Sequence, residues 1–282
     1  MQVEKITSRI GARVSGVDMV RPLSEEDVAA IRAALDEHGV LFFVGQRALS
    51  GEEHLRFARS FGEIDISPYR TKASTMPEVL VIEFDKPANN GTDRWHADGT
   101  FDERPPLGSI LQAHVLPAVG GDTCFASMYA AYEALSPAMQ SFFETLSARH
   151  TLGGSQAPSK APSYNLDQSV AAKAPVSHPL VTVNRATGRK RLFVSSIYTI
   201  AIDGLSKAES DHWLAFLFDH VKSPEFQMRY RWSVGDVAFW DNHAVQHFAV
   251  PDYDTRRVMQ RVTIKGGRPV GVDGRSGALQ AA

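Results

Sequence analysis

The sequence predicts a mostly β protein with helical insertions, built as a sandwich or barrel core decorated by helices. Three observations lead there. Helical patterns gather early and alternating, strand-like patterns gather late, with no regular βαβ cycle. Short continuous apolar runs, VLFFV at 40–44 and VLVIEF at 79–84, suit strands buried on both faces. No repeat of 20–50 residues is present, which argues against a solenoid.

Taken in order, residues 10–17 form a short strand. Ser24 opens a capping box with Asp27, and Glu25 and Glu26 add negative charge to the first turn. Val28, Ile31 and Leu35 mark one apolar face, and Gly39 ends that helix before the 40–44 strand. A second helix covers 51–61, with Leu55, Phe57 and Ala58 turned inward. Residues 85–94 are a polar loop. Residues 107–128 are strand-like around a Gly120-Gly121 turn.

Ser136 and Pro137 start a helix read through to His150. Residues 153–175 are rich in Gly, Ser, Ala and Pro, the composition of a mobile loop and a candidate lid. Ser206 and Glu209 form a further capping box ahead of a helix carrying Trp213, Leu214 and Leu217. Strands follow at 226–232, 237–240 and 257–265. The tail, 267–282, is expected to fray. The whole of 1–282 is read as a single catalytic domain.

Composition bounds the partners. The 282 residues are 43% hydrophobic and 22% charged, as in a soluble globular chain. A formal net charge of −2 gives no global basic field for nucleic acid, so an acidic ligand must be met by local arginines. One cysteine, Cys124, excludes a disulfide framework and a cysteine zinc site. The N-terminus has no signal-type apolar core, and no apolar run approaches the ~18 residues of a membrane span. A cytoplasmic protein is expected.

Three pieces carry chemistry. His96 and Asp98 stand two apart in RWHADGTF, so both reach one ion if the segment is extended. Two imidazoles and a carboxylate hold a mononuclear iron with open positions, and WDNHAVQH offers His243 or His247 as the third ligand. HxD alone is a chance-level pattern, so the set matters only if the fold joins its parts. Second, Arg257 and Arg261 share one face of an extended 255–263 segment. They are either snorkelling edge residues or clamps for acid groups. Third, the glycines of GGDT allow a tight turn, and Thr123 adds a hydroxyl.

Together these stretches resemble the taurine dioxygenase (TauD/TfdA) family of iron(II)- and 2-oxoglutarate-dependent oxygenases. The resemblance runs from about Ile6 to Pro269. It rests on SRIGARVSGVD, RWHADGTF, GGDTCFASM, GDVAFWDNHAVQH and RRVMQRVTIKG, in the family's order. It implies a double-stranded β-helix (jelly roll) with helical insertions. It implies Fe(II) as cofactor, with 2-oxoglutarate and O2 as co-substrates. His96, Asp98 and His247 match the iron ligands, and His243 is set outside them. Thr123 and Arg257 match the holders of the distal 2-oxoglutarate carboxylate, and Arg261 matches the receiver of the substrate's acid. Trp240 matches an aromatic near the iron. The presence of Asp98 favours hydroxylation over halogenation.

The expected substrate is a small acidic molecule of sulfonate, alkyl sulfate ester or aryloxyalkanoate type. Its hydroxylated product often collapses to a carbonyl compound, alongside succinate and CO2. Two positions depart from the taurine enzymes: Ser67 replaces a histidine and Thr92 an asparagine that serve taurine. Each loses a polar contact, which argues against taurine itself. Relatives are often homo-oligomers, and the same is expected here. Two rival readings are a zinc hydrolase on the same His/Asp/His set and a non-enzymatic β-sandwich binding module.

Overall fold

The computed structural model describes residues 1–70, 76–85, 94–152, 165–166, 173–276 and 278–279. The N-terminal part runs β1 (Gln2–Lys5), β2 (Ala12–Ser15), α1 (Glu25–His38), β3 (Val40–Phe43), α2 (Gly51–Arg59), β4 (Ile64–Asp65), β5 (Tyr69–Arg70) and β6 (Val79–Phe84). The middle runs β7 (Gly108–Val115), β8 (Thr123–Ser127), α3 (Met128–Glu133), α4 (Pro137–Glu144), β9 (Ser147–His150), β10 (Asn165–Leu166), β11 (Val176–Pro179), β12 (Val181–Val183), β13 (Lys190–Leu192) and β14 (Thr199–Ile202). The last part holds α5 (Lys207–His220), β15 (Gln227–Tyr230), β16 (Val237–Asp241), β17 (Val245–Ala249), β18 (Arg257–Ile264) and β19 (Ala278–Leu279).

The main sheet has the order β1-β2-β3-β16-β7-β18-β4, with β6 also paired to β18. A three-stranded sheet, β15-β8-β17, lies against it. Side-chain alternation explains how the layers join. On β16, Val237 and Phe239 enter a core shared with Ile31, Leu35, Leu55 and Phe57 of α1 and α2. Ala238 and Trp240 point the other way, into a core with Phe125, Met228 and Tyr230 of the smaller sheet. On β3, Leu41 and Phe43 take the helix side, and Val40 and Phe42 the inter-sheet side. Both faces of these strands are therefore buried, as their unbroken apolar runs require.

Local signals account for the helix starts. Ser206 and Glu209 make the full reciprocal capping box, as do Ser50 and Glu53. At Ser24 the hydroxyl accepts from Asp27 N, and the carboxylate of Asp27 bonds back to that hydroxyl rather than to the backbone. One expected element is corrected. The helix from Pro137 stops at Glu144, where Thr145 Oγ1 donates to Phe142 O at 2.8 Å. Residues 147–150 instead form β9, paired to β11 and β14 with Ala148 and His150 inward. Thr145 supplies a stop that has none of the usual Gly or Pro punctuation.

The segment after Gly266 was expected to fray. Val183 N donates to Val270 O at 2.8 Å, Gly271 bridges Thr182, and Pro269 is buried. Up to there the chain is tied to β12 by backbone pairing that its Gly- and Arg-containing composition does not reveal. Most of 153–175 lies outside the described residues. Within it, β10 pairs with β5, and Lys173 Nζ sits 2.5 Å from Asp102 Oδ1.

Candidate metal and acid-binding site

Two distant segments are zipped together at the site. His96 and His247 form an isolated antiparallel bridge, with N–H···O=C distances of 3.1 and 2.8 Å. β8 holds β17 in place, with His247 opposite Phe125. The ring of His247 packs against that of Trp240, centroids 4.7 Å apart, so this aromatic lies against the site. Asp98 is positioned by a side chain instead of a strand. Its N–H donates to Asn242 Oδ1 at 2.7 Å, and its C=O accepts from Asn242 Nδ2 at 2.8 Å.

The three ligand atoms of His96, Asp98 and His247 lie within 4.8 Å of one another. His96 Nε2 is 3.7 Å from Asp98 Oδ1, and His247 Nε2 is 4.0 Å from Asp98 Oδ2. A small divalent ion with bonds of about 2.1 Å closes such gaps with little movement. The donor chemistry fits. Arg94 O lies 2.7 Å from His96 Nδ1, which fixes the proton there and leaves the Nε2 lone pair facing inward. His247 Nδ1 is buried with no hydrogen-bond partner among the described residues, and Nε2 is the ring nitrogen that faces the carboxylate.

Protonation states agree with this. Burial lowers His96 below its ordinary value. Burial, then the neighbouring His96, pushes His247 down to about 3. Burial works against the charge on Asp98, but Arg261 and the two histidines outweigh it and hold the carboxyl well below the usual range. At neutral pH the cluster is therefore two neutral imidazoles and a carboxylate, the forms that bind metal without first releasing protons.

The carboxylate has two further partners. Arg261 Nη1 lies 3.1 Å from Asp98 Oδ2, and Ser109 Oγ donates to the same oxygen at 3.2 Å. Arg257, Met259 and Arg261 alternate on one face of β18, and Met259 places that face in the inter-sheet core. Arg257 is buried, and its Nε donates to Gly121 O at 3.1 Å. Gly120 and Gly121 have φ of +80° and +74°. A Cβ on Gly121 would stand 3.2 Å from Arg257 Cδ and Nε, so the turn and the arginine need each other's shape. Two residues on, Thr123 Oγ1 accepts from Trp232 Nε1 at 3.0 Å. That contact fills one lone pair and leaves the hydroxyl proton to donate elsewhere.

Among the other expected residues, Ser67 is partly buried two positions beyond β4, and Thr92 lies outside the described residues. His243 is buried away from the triad, against the ring of Phe193 with its Nε2 3.4 Å from Pro105 O. Asn242, Ser109 and Trp232 were not singled out from sequence. Asn242 sits inside the quoted WDNHAVQH stretch, but its partner is 144 positions away.

Comparison with known proteins agrees with this geometry. The family model described as "Taurine catabolism dioxygenase TauD, TfdA family" matches residues 2–263. An alkylsulfatase of Acinetobacter baylyi is 35% identical over 98% of this chain and 89% of its own length. An alpha-ketoglutarate-dependent sulfate ester dioxygenase of Pseudomonas putida is 36% identical, over 97% and 92%. The crystal structure of a taurine dioxygenase from Burkholderia xenovorans superposes with a TM-score of 0.85 at 35% identity, covering 100% of this chain and 95% of that one. With a whole-length family match and a His/Asp/His cluster in place, this chain belongs to the TauD/TfdA dioxygenase family.

Proposed function

We propose that the substrate is a small organic acid whose anionic end is received by Arg261, of the alkyl sulfate ester, sulfonate or aryloxyalkanoate type. The reaction class comes with the family: an iron(II)- and 2-oxoglutarate-dependent dioxygenase. Substrate, 2-oxoglutarate and O2 go to hydroxylated substrate, succinate and CO2. This leaves the zinc hydrolase and the passive binding module without support. We read the two facing sheets as the family's jelly roll.

In this reading His96, Asp98 and His247 hold the iron. The buried Arg257 takes the distal carboxylate of 2-oxoglutarate in a forked contact, and Thr123 donates its remaining proton to it. Bound iron, with 2-oxoglutarate and O2, supplies an oxidant able to take hydrogen from an unreactive carbon. The protein's part is placement. Arg261 is the observation that carries the substrate assignment, because its Nη1 lies 3.1 Å from an oxygen of Asp98. An acid anchored on that guanidinium presents its neighbouring carbon to the metal.

The relatives named for sulfate esters favour the alkyl sulfate class. Hydroxylation of the carbon bearing such an ester gives a hemiacetal-type product that expels sulfate and leaves an aldehyde. Ser67 and Thr92 stand where taurine enzymes place a histidine and an asparagine, so an apolar body suits the pocket better than an amine. The test is a panel of alkyl sulfates, sulfonates and aryloxy acids scored by succinate release above the uncoupled rate. Alkyl sulfates should stimulate most. Background rates with all three classes would end this reading.

A further inference from the structure

A cleft of about 680 Å³ opens on the side of β16 facing away from the triad. Phe239 and Asp241 line it, whereas the intervening Trp240 faces His247. The strand itself thus separates cleft and metal cluster. The other walls come from α1, from the turn between β12 and β13, and from residues 267–270. The volume is that of a small-molecule site.

Its charge is unlike the rest of the chain. Five arginines and two aspartates line it, in a chain whose formal net charge is −2. Both acids are already engaged. Asp241 is ion-paired with the buried Arg191 at 2.8 Å, and Asp36 accepts from Asn184 Nδ2 at 2.7 Å. Of the four exposed arginines, Arg32 donates to Phe61 O at 2.8 Å and Arg268 pairs with Glu103. Arg104 and Arg185 make no hydrogen bond or ion pair among the described residues. Between the guanidiniums, Leu107, Val183 and Val270 offer half-buried apolar surface.

Guanidinium forks on a rim bind carboxylate, sulfonate or phosphate groups, and the apolar floor rewards a hydrocarbon body. We propose that this cleft is a second ligand site, for a small organic anion carrying two or more acid groups on an apolar frame. It is distinct from the substrate site, so both can be filled at once.

The test uses a fluorescent pyrene trisulfonate dye as probe, titrated into the full chain by anisotropy at about 0.15 M salt, where weak long-range attraction is screened. The protein is loaded with Mn(II) and 2-oxoglutarate. One dye should bind per chain. The double variant Arg104→Glu/Arg185→Glu should weaken it at least tenfold with an unchanged melting temperature, because neither side chain supports the fold. Arg261→Ala should leave dye affinity unchanged. Inorganic pyrophosphate, which has charge but no apolar body, should compete at least tenfold more weakly than naphthalene trisulfonate, which does not emit at the dye's wavelengths. Absent binding, equal affinity in the double variant, or loss of binding in Arg261→Ala would each overturn the site. Equal competition by pyrophosphate would overturn its apolar half.

Discussion

Arg261 and Asp98 share a charge-assisted contact of 3.1 Å through a single carboxylate oxygen, Oδ2. Ser109 donates to that same oxygen, while Oδ1 is the one turned to His96. Oδ2 also faces His247 Nε2 at 4.0 Å, so one oxygen is shared between the histidine cluster and the residue proposed to meet the substrate. Arg261→Gln removes the charge but keeps a donor. A hydrogen bond to a charged group is worth about 1.5–3 kcal/mol. The expected result is a KM for the acidic substrate raised about ten- to hundred-fold, with the KM for 2-oxoglutarate within about threefold of wild type. Steady-state kinetics in both substrates separate the two.

Asn242 does for Asp98 what a neighbouring strand does elsewhere, pairing with both its N–H and its C=O. Asn242→Ala leaves those two backbone groups unpaired and frees the ligand's backbone. Loss of groups that orient a metal ligand typically costs about 10–100-fold in metal affinity. Titration with Fe(II) under anaerobic conditions should show that loss, and a folded circular dichroism spectrum should accompany it.

Gly121→Ala tests the turn beneath Arg257. The φ of +74° strains any side chain, and the added methyl meets the arginine at 3.2 Å. Gly188, at φ +72° with nothing within 4 Å of a built Cβ, isolates the strain alone. Left-handed strain costs roughly 1–2 kcal/mol. Both alanine variants should melt lower. Only Gly121→Ala should raise the KM for 2-oxoglutarate, by about tenfold on the scale of a contact worth roughly 1.4 kcal/mol.

Buried neutral histidines set the acid limit of stability. Burial lowers His54 to about 3, and His178 and His243 to about 4, from an ordinary 6.5. The unfolded chain binds these protons and the folded one does not. Their contribution is thus complete above pH 6.5 and is lost as pH falls toward 4. Melting temperature should stay level from about pH 8 to 7 and drop steeply between about pH 6 and 4.5. A profile flat to pH 4.5 would contradict the assignment.

Much of this architecture is legible in the sequence because burial writes it in residue choice. The run at 40–43 is a strand with both faces covered, and the Ser206/Glu209 box starts a helix where it should. The run at 79–84 is a strand too, but an edge one paired only to β18 among the described residues, with Val79 and Leu80 buried and the rest half-buried. β17 left no such mark: VQHFA is short and mixed, and it exists as a strand because β8 and the His96 backbone complete its hydrogen bonds. The end of α4 was hidden for the same reason, since pairing with β11 and β14 overrides a helix-compatible SARH. At the site, residue types pointed to the three side chains that the fold brings together, His96, Asp98 and His247. The supports, Asn242, Ser109 and Trp232, act on partners 11 to 144 positions away, a relation that spacing cannot express.

The central claim is that His96, Asp98 and His247 hold one iron to which 2-oxoglutarate binds. Anaerobic addition of Fe(II) and 2-oxoglutarate should produce a visible charge-transfer band in the wild type. Asp98→Ala should abolish it while keeping the native fold by circular dichroism. No band in the wild type, or an undiminished band in folded Asp98→Ala, would contradict the account.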